Sequence, residues 1–574
     1  MKLYFLVLFL ASSMALWAQN REHAFEINAQ LGRGINYGNM FEAPGETDWG
    51  NPWQPEYAGM IADLGFNHVR IPIRWEPEDR SSATAPYTIE STFLQRIQQV
   101  VDSALNNGLM AIINMHHHEA LYDDPEGQKA RFLAQWEQIS EYFKSYPDSL
   151  LFEILNEPHG NLTAALWNTF AAEALSVIRE DNPTRVVLIG TAEYGGLGGL
   201  SKLQVPDDQN IILTVHYYNP FQFTHQGAEW AEGADAWLGT EWNDTETERQ
   251  IVQQEFAPLQ TFADTYNIPV HIGEFGAYSK ADQTSREKWT NYIARYTESL
   301  GWSWAYWEFS AGFGIYNPST ASYYDYLADA LLHDTLSAPA YYTGTAIYAS
   351  DFAKGADEWI LSTNGSAAAS KENSNQQLQV SIENTGSEDW HIQLMTMNLE
   401  LEAGKTYRLR FSASTAAARN ITAYVGQSSS PWGAYSSYYT VALADTLTEF
   451  ALVFDMSSDD DAARIVFDLG SSSETVYFES VVLEEVELQT PTSSAVINTS
   501  NSSVYPNPAD EQLIVDNQDE FETISIRSIN GKLLLQETLS PSTNTIYTGQ
   551  LASGIYFVSL QNQNNRFTQR IVKK

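Results

Sequence analysis

Between residues 25 and 335 the chain alternates short, nearly continuous apolar runs with longer stretches in which apolar residues recur at helical spacing. The apolar runs fall at 34–37, 68–73, 109–115, 150–155, 185–190, 211–218, 269–275 and 303–309. The amphipathic stretches include 89–107, 128–146, 163–179, 247–266 and 284–300. Runs that are apolar throughout predict strands buried on both faces, and the helices between them predict parallel order. Eight such units in about 300 residues have the size and rhythm of a (β/α)8 barrel. A doubly wound open sheet is the competing topology, but no Gly-rich dinucleotide loop follows the first run. The expected α/β fold is therefore a TIM barrel over 20–335.

Past residue 335 the helical spacing gives way to alternation, at 377–382, 406–411, 421–425, 464–469 and 476–483. Turn residues such as Ala403-Gly404-Lys405 separate these segments, which predicts a β-sandwich over 347–488. A Ser/Thr/Asn-rich stretch at 489–502 reads as a linker. The remainder, 503–574, predicts a small all-β domain with strands near 513–516, 523–528, 532–537, 555–560 and 566–572.

The first 18 residues stand apart. One Lys precedes the apolar run 3–11, and small residues follow, ending Ala15-Leu16-Trp17-Ala18, the layout of a secretory signal peptide. The run is too short for a bilayer, which needs about 20 apolar residues, and no later segment supplies them. An exported protein with no membrane span in its mature form is expected. The chain has no cysteine, so disulfides, thiolate catalysis and zinc–thiolate sites are excluded, and stability rests on core burial. Lys and Arg number 31 against 72 Asp and Glu, a formal charge of −41. Such a polyanion repels phosphate backbones, so a nucleic-acid partner is not expected. The 16 Trp, 31 Tyr and 26 Phe would suit stacking on the C–H faces of sugars, although aromatic cores use the same residues.

In a (β/α)8 barrel the chemistry collects at the C-terminal ends of the strands. The second run contains Arg70, and the third ends Asn114-Met115-His116-His117-His118-Glu119. The fourth ends Asn156-Glu157-Pro158-His159, the sixth His216-Tyr217-Tyr218, the seventh Glu274, and the eighth Trp304-Ala305-Tyr306-Trp307-Glu308. Glu157 and Glu274 would face each other across the barrel mouth. Cleavage of a glycosidic bond needs such a pair, one to protonate the departing oxygen and one to attack the anomeric carbon or activate water. Neighbouring residues of an extended chain point to opposite faces, so His116, His117 and His118 do not converge on one ion. No His-Glu-x-x-His spacing occurs, and neither a metal nor a cofactor is expected.

The segment Leu150-Leu151-Phe152-Glu153-Ile154-Leu155-Asn156-Glu157-Pro158-His159 resembles the signature of glycoside hydrolase family 5. Supporting stretches are Gly32-Arg33-Gly34-Ile35-Asn36, Val69-Arg70-Ile71-Pro72-Ile73-Arg74-Trp75, His216-Tyr217-Tyr218-Asn219-Pro220, Phe223-Thr224-His225-Gln226-Gly227-Ala228-Glu229-Trp230 and Trp302-Ser303-Trp304-Ala305-Tyr306-Trp307-Glu308-Phe309. Together they look like the bacterial endoglucanases of that family, including members that also cleave mannan. The resemblance implies Glu157 as acid/base and Glu274 as nucleophile. It implies Asn156 on the sugar 2-hydroxyl, His216 and Tyr218 around the nucleophile, and Trp307 as a stacking platform. Asn39, Glu42, His116 and His117 would contact sugars on the non-reducing side, and His225 and Trp230 on the leaving-group side. These roles require the Glu157 carboxyl to be raised by its neighbouring carboxylate and Glu274 to be held ionised, which Arg70 can do.

The sandwich resembles carbohydrate-binding modules of the family 4/9 type, through Glu388-Asp389-Trp390-His391-Ile392-Gln393-Leu394, Leu401-Glu402-Ala403-Gly404-Lys405-Thr406-Tyr407 and Phe478-Glu479-Ser480-Val481. Trp390, Trp432, Tyr435 and Tyr438 are its candidate stacking residues. The C-terminal domain resembles sorting domains read by the type IX secretion system, through Val504-Tyr505-Pro506-Asn507-Pro508, Ile529-Asn530-Gly531-Lys532 and Leu551-Ala552-Ser553-Gly554-Ile555-Tyr556-Phe557. The expectation is a secreted or surface-attached monomeric endo-β-1,4-glucanase using double displacement. An endo-β-1,4-mannanase or dual enzyme is the alternative within the class, and a non-catalytic polysaccharide-binding protein the alternative outside it.

Overall fold

The computed structural model describes residues 21–490 and, within the last stretch, 502–505, 509, 511–517, 521–528, 533–540, 542–551, 554–562 and 566–573. The leader 1–18, most of the linker 489–502, and positions 506–508, 529–532 and 552–553 of the sorting motifs lie outside the described residues.

Eight parallel strands close in sequence order into a barrel. They are β1 (Arg33–Asn36), β2 (His68–Ile71), β3 (Met110–Asn114), β4 (Leu150–Glu153), β5 (Val187–Gly190), β6 (Ile211–His216), β7 (Val270–Glu274) and β8 (Ser303–Tyr306). β8 returns to β1 through the pairs Arg33–Trp304, Gly34–Ala305 and Ile35–Tyr306. The helices are α1 (Glu22–Leu31), α2 (Tyr57–Leu64), α3 (Ser91–Asn106), α4 (Glu119–Asp123), α5 (Pro125–Phe143), α6 (Ala164–Asp181), α7 (Phe221–Thr224), α8 (Glu246–Tyr266), α9 (Gln283–Ser299) and α10 (Asp325–Leu332). Their starts are written in the chain. Asp124 caps α5 with Pro125 in its first turn, Thr163 caps α6 and Asp282 caps α9. Thr245 and Glu248 form a reciprocal capping box on α8.

All eight expected strands are present, and several end earlier than the apolar runs suggest; β4, for instance, stops at Glu153 and β8 at Tyr306. The chain leaves the ladder there and turns its next side chains into the mouth. Helix α1 was not anticipated. Its buried face, Ala24, Ile27 and Leu31, packs with Met110, Ile112, Leu151, Val186, Leu188 and Ile212. The Arg21 side chain bonds the carbonyls of Asp208 and Tyr266, just ahead of β6 and β7, so α1 closes the floor of the barrel. Among the described residues no helix is long and apolar enough to cross a membrane.

The sandwich and the barrel form one compact unit with separate hydrophobic cores. One sandwich sheet has strand order Ile360–Thr363, Ile392–Leu401, Asp460–Asp468, Arg419–Gly426, Tyr439–Leu443. The facing sheet is built around Val476–Gln489, with Tyr341–Ser350 paired along it. The C-terminal unit contains a three-stranded and a four-stranded antiparallel sheet around its own core.

One cation ties the lower part of the barrel to its helices. Arg185 is buried, and its guanidinium bonds the carbonyls of Phe143, Tyr146, Pro147 and Leu150 and the Asn182 side chain. These groups terminate α5 and open β4. Arg185→Ala leaves carbonyls unmet and should cost about 2–4 kcal/mol. The check is the urea midpoint of the helical circular dichroism signal; an unchanged midpoint would remove Arg185 from the stability account.

Candidate active site

Arg70 lies on β2 with its side chain fully buried. A guanidinium carries five N–H donors, and here each has an acceptor. Nε and Nη2 form a bidentate pair with Glu153 at 2.6 and 2.8 Å. Nη1 donates to Asn36 Oδ1 at 2.9 Å and to Glu274 Oε1 at 2.7 Å. Nη2 also donates to Asn156 Oδ1 at 2.6 Å. Asn36 in turn donates to the carbonyls of Gly273, Ala305 and Tyr306, so β1, β2, β4, β7 and β8 are clamped around one charge. Glu153 and Asn36 were not singled out in the sequence. The available signal was a charged residue inside the apolar run 150–155, which a sealed strand tolerates only beside a partner.

Glu274, at the end of β7, also accepts from Tyr218 Oη at 2.9 Å. His216 stands between the two acids, with Nδ1 2.7 Å from Glu157 Oε1 and 3.6 Å from Glu274 Oε2. Ligand atoms of Glu157, His216 and Glu274 all lie within 4.8 Å of one another. Gly195 makes room for this arrangement. Its φ is +68°, and a β-carbon there would come 3.3 Å from both Glu157 Cγ and His216 Nδ1.

The charges differ from the expectation. Burial pushes the Glu157 carboxyl up, but the His216 bond and positive charge outweigh it, and the carboxyl sits below its ordinary value. Burial raises Glu274 above its ordinary value, against the pull of His216 and Arg70 and with the Glu157 charge adding to the rise. Burial alone would lower His216, yet the Glu274 charge and the Glu157 bond raise it above 6.5. The direction at Glu157 is therefore opposite to the anticipated elevation, because the His216 Nδ1 contact at 2.7 Å and the imidazole charge outweigh burial. The sequence could not place His216 between the acids. The same trio has the spacing to hold a metal ion. Arg70 already supplies a positive charge 2.7 Å from Glu274.

The structure places the other cleft candidates in distinct settings. His116 stacks on Trp307 with ring centroids 5.6 Å apart, and His117 meets His116 edge-on at 4.8 Å. His118 turns away to cap α4, accepting from the amide of Leu121. Glu42 is 1% exposed, and its carboxylate accepts the backbone amides of Asn39 and Met40. Burial pushes that carboxyl up to about 8. Glu42 thus shapes the half-buried Asn39 turn (φ +62°) beside the expected non-reducing side of the cleft. His225 is buried, stacked on Phe221 at 4.0 Å and edge-on to Tyr218 at 5.0 Å. Trp230, 61% exposed, leans on Tyr278 and lies 6.4 Å from His225.

In the sandwich, the sheet containing Ile392–Leu401 carries a groove of about 900 Å³ lined by Trp390, Met395, Tyr424, Trp432, Tyr438 and Arg464, among others. Trp390 is 47% and Trp432 52% exposed, and the Arg464 guanidinium lies 5.0 Å over the Trp432 ring. Tyr435 is not in the groove: it packs against the sandwich core and donates to Asp460 at 2.6 Å.

Residues 33–312 match the profile of the cellulases of glycosyl hydrolase family 5. Residues 344–475 match a carbohydrate binding domain, and 503–574 a secretion system C-terminal sorting domain. Over 349 residues the chain is 30% identical to Endoglucanase A of Ruminococcus albus, covering 54% of this chain and 92% of that protein. The chain belongs to glycoside hydrolase family 5. This family 5 chain is also 37% identical over 316 residues to Endoglucanase H of Acetivibrio thermocellus, across 54% of this chain and 33% of that protein. It spans about a third of the length of the first curated relatives it matches. Crystal structures of Thermotoga maritima Cel5A with cellobiose are 49% identical, with a TM-score of 0.53 over 54% of this chain and 99% of that one. A structure of that protein with mannotriose is 48% identical at the same TM-score and coverage.

The raised His216 gives this family 5 site a titration signature. A group raised in the folded state keeps its proton as pH climbs past the ordinary value and loses it only at the folded one. The contacts of protonated His216 with Glu274 and Glu157 therefore contribute stability that is fully present below 6.5, while both carboxylates stay ionised, and is lost as pH rises through the folded value. Histidine-ring NMR of the full chain should show one buried ring titrating above 6.5 that falls in Glu157→Gln. A His216 titration at or below 6.5 in the wild type would refute the action of the two carboxylates on this ring.

Proposed function

We propose that this chain is a secreted, retaining endo-β-1,4-glucanase, cutting internal bonds of cellulose-type or mixed-linkage β-glucan by double displacement. The observation that carries the reading is the closeness of the two acids, whose nearest oxygens lie within 4.8 Å. Retaining enzymes hold their carboxyl groups about 5–5.5 Å apart, whereas inverting ones need about 6.5–9.5 Å to admit a water. Glu274 attacks the anomeric carbon while Glu157, in its protonated form and hydrogen-bonded to His216, protonates the departing oxygen. A glycosyl ester on Glu274 results. Glu157 then takes a proton from water, the water attacks the same carbon, and the Glu274 carboxylate leaves with net retention.

Arg70 and Tyr218 oppose the effect of burial on Glu274 and fix the direction of its attack. Asn156 has its Oδ1 committed to Arg70, so its amide N–H groups are turned toward the sugar 2-hydroxyl. Trp307, stacked on His116, supports the sugar beside the scissile bond. His117 and Asn39 extend the non-reducing side, and His225 and Trp230 the leaving-group side. The sandwich groove retains the chain on polymer. The leader over 1–18 and the C-terminal domain direct export through the type IX machinery.

A second reading, endo-β-1,4-mannanase or dual activity, is favoured by one observation: the similar Cel5A has been crystallised with both cellobiose and mannotriose. Glucose and mannose differ only at C2, where Asn156 offers donors that either hydroxyl could accept.

Glu274→Ala should fold and lose at least about a thousandfold in kcat. Added azide should restore turnover with an inverted glycosyl azide, read by NMR of the product. Substantial activity in the variant without azide would remove Glu274 as nucleophile. Reducing-sugar release on carboxymethylcellulose, barley β-glucan, glucomannan and pure mannan separates the two substrate readings. Release from the glucans alone fixes a glucanase, equal release from mannan fixes a dual enzyme, and release from none defeats both.

A further inference from the structure

Beyond the end of β6 the chain runs Tyr217-Tyr218-Asn219, and its side chains leave on alternate sides. Tyr218 turns into the barrel mouth and donates to Glu274 Oε2 at 2.9 Å. Tyr217 and Asn219 turn the other way, and both end on one carboxylate of α8. Tyr217 Oη donates to Glu255 Oε2 at 2.6 Å, and Asn219 Nδ2 donates to Glu255 Oε1 at 3.0 Å. Glu255 thus grips the chain immediately before and immediately after the tyrosine that touches the nucleophile.

A glutamate on an outer helix of a barrel ordinarily points into water, and a single surface contact there is worth little. Glu255 is only half-buried, yet both of its oxygens are taken by the same short segment. The surroundings make that grip stiff. Tyr217 is 2% exposed, with its ring edge-on at 4.7 Å to Phe256, the neighbour of Glu255 on α8. Burial, and then the Glu255 charge, raise its phenol above the ordinary tyrosine value, so this donor persists throughout the neutral range. Trp289 of α9 donates to the Asn219 carbonyl at 3.1 Å, and Thr224 Oγ1 donates to the Tyr218 carbonyl at 2.6 Å. The backbone on which Tyr218 stands is therefore set from outside the barrel. A hydrogen bond weakens steeply as its distance and angle depart from the optimum, so the reach of Tyr218 to Glu274 depends on that setting.

We propose that Glu255 is a positioning residue for the reaction: through Tyr217 and Asn219 it holds Tyr218 in hydrogen-bond range of Glu274 and so helps to keep the nucleophile ionised. The assignment rests on the double-displacement reading given above. Glu255 touches neither the substrate nor the reacting atoms. The charges that face Glu274 come from His216, Arg70 and Glu157, so the Tyr218 bond is the part of its environment that α8 controls.

The test follows kcat/KM for an aryl β-cellobioside against pH in the full chain, where the acidic limb reports ionisation of the nucleophile in the free enzyme. Tyr218→Phe removes a donor to the Glu274 carboxylate, which raises its pKa and moves that limb to higher pH. Glu255→Ala should move it in the same direction by about half a pH unit, and Glu255→Gln, which keeps one acceptor, by less. In a Tyr218→Phe background, Glu255→Ala should move the limb no further, because the hydroxyl it positions is gone. Should the alanine variant fail to fold, Glu255→Gln and Asn219→Ala, at an exposed position, carry the same comparison. A limb equal to that of the wild type in the folded variants, or a shift that adds in full to that of Tyr218→Phe, overturns the positioning role and leaves the enzymatic reading standing. Failure of the wild type to cleave the glycoside overturns both.

Discussion

A guanidinium sealed inside a barrel cannot leave a donor unmet, and the five N–H groups of Arg70 find acceptors on Asn36, Glu153, Asn156 and Glu274. Removing these charges from water costs several kcal/mol per ion, so the cluster is a poor source of stability. Its effect is positional. Glu153 takes two of the donors side by side and offsets the charge. Glu274 then needs only one Arg70 hydrogen bond, which leaves its second oxygen to Tyr218 and to chemistry. Without Arg70, Glu153 and Glu274 would be uncompensated anions in an apolar interior, and the mouth of the barrel would have to rearrange around them.

The same geometry explains the directions in which these groups are shifted. Glu157 is the more open of the two acids, and its one strong partner is His216. Glu274 is enclosed, and its charge acts on the same imidazole from 3.6 Å. Two carboxylates facing one buried ring favour its protonated form, which is why His216 is raised although burial alone would lower it. A pair coupled this tightly titrates as a unit, and a proton assigned to either partner alone describes half of it.

The barrel was legible because a strand buried on both faces cannot hide its composition: eight apolar runs are present, and eight strands form. The acids were legible because they close those runs. What escaped was whatever depended on a third element. Helix α1 has a modest apolar face, Ala24, Ile27 and Leu31, whose purpose appears only once the barrel floor exists to receive it. Glu153 sits inside a motif and looks secondary until Arg70 arrives from β2. The lowering of Glu157 follows from His216, which comes from β6 and is distant in sequence from both acids. Tyr435 and Tyr438 lie on a loop with no strand period to say which faces the groove, and the structure turns the first inward and the second toward it.

Aromatic content could not decide function by itself, since cores and sugar clefts draw on the same residues. Position decides it. Trp75, Trp136, Trp167, Trp242, Trp289, Trp304 and Trp359 are fully buried and account for themselves as packing. Among the described residues the exposed tryptophans are Trp49, Trp230, Trp390 and Trp432. Each exposed indole leaves apolar surface in water, a cost that scattered single residues carry without meaning but that becomes informative when the exposures share a location. Two of these four rings flank the catalytic mouth, beside His117 and His225, and two line the sandwich groove. A fold that buries seven tryptophans completely had the means to bury four more. These four stand in solvent at the cleft and at the groove, where packing alone does not account for them.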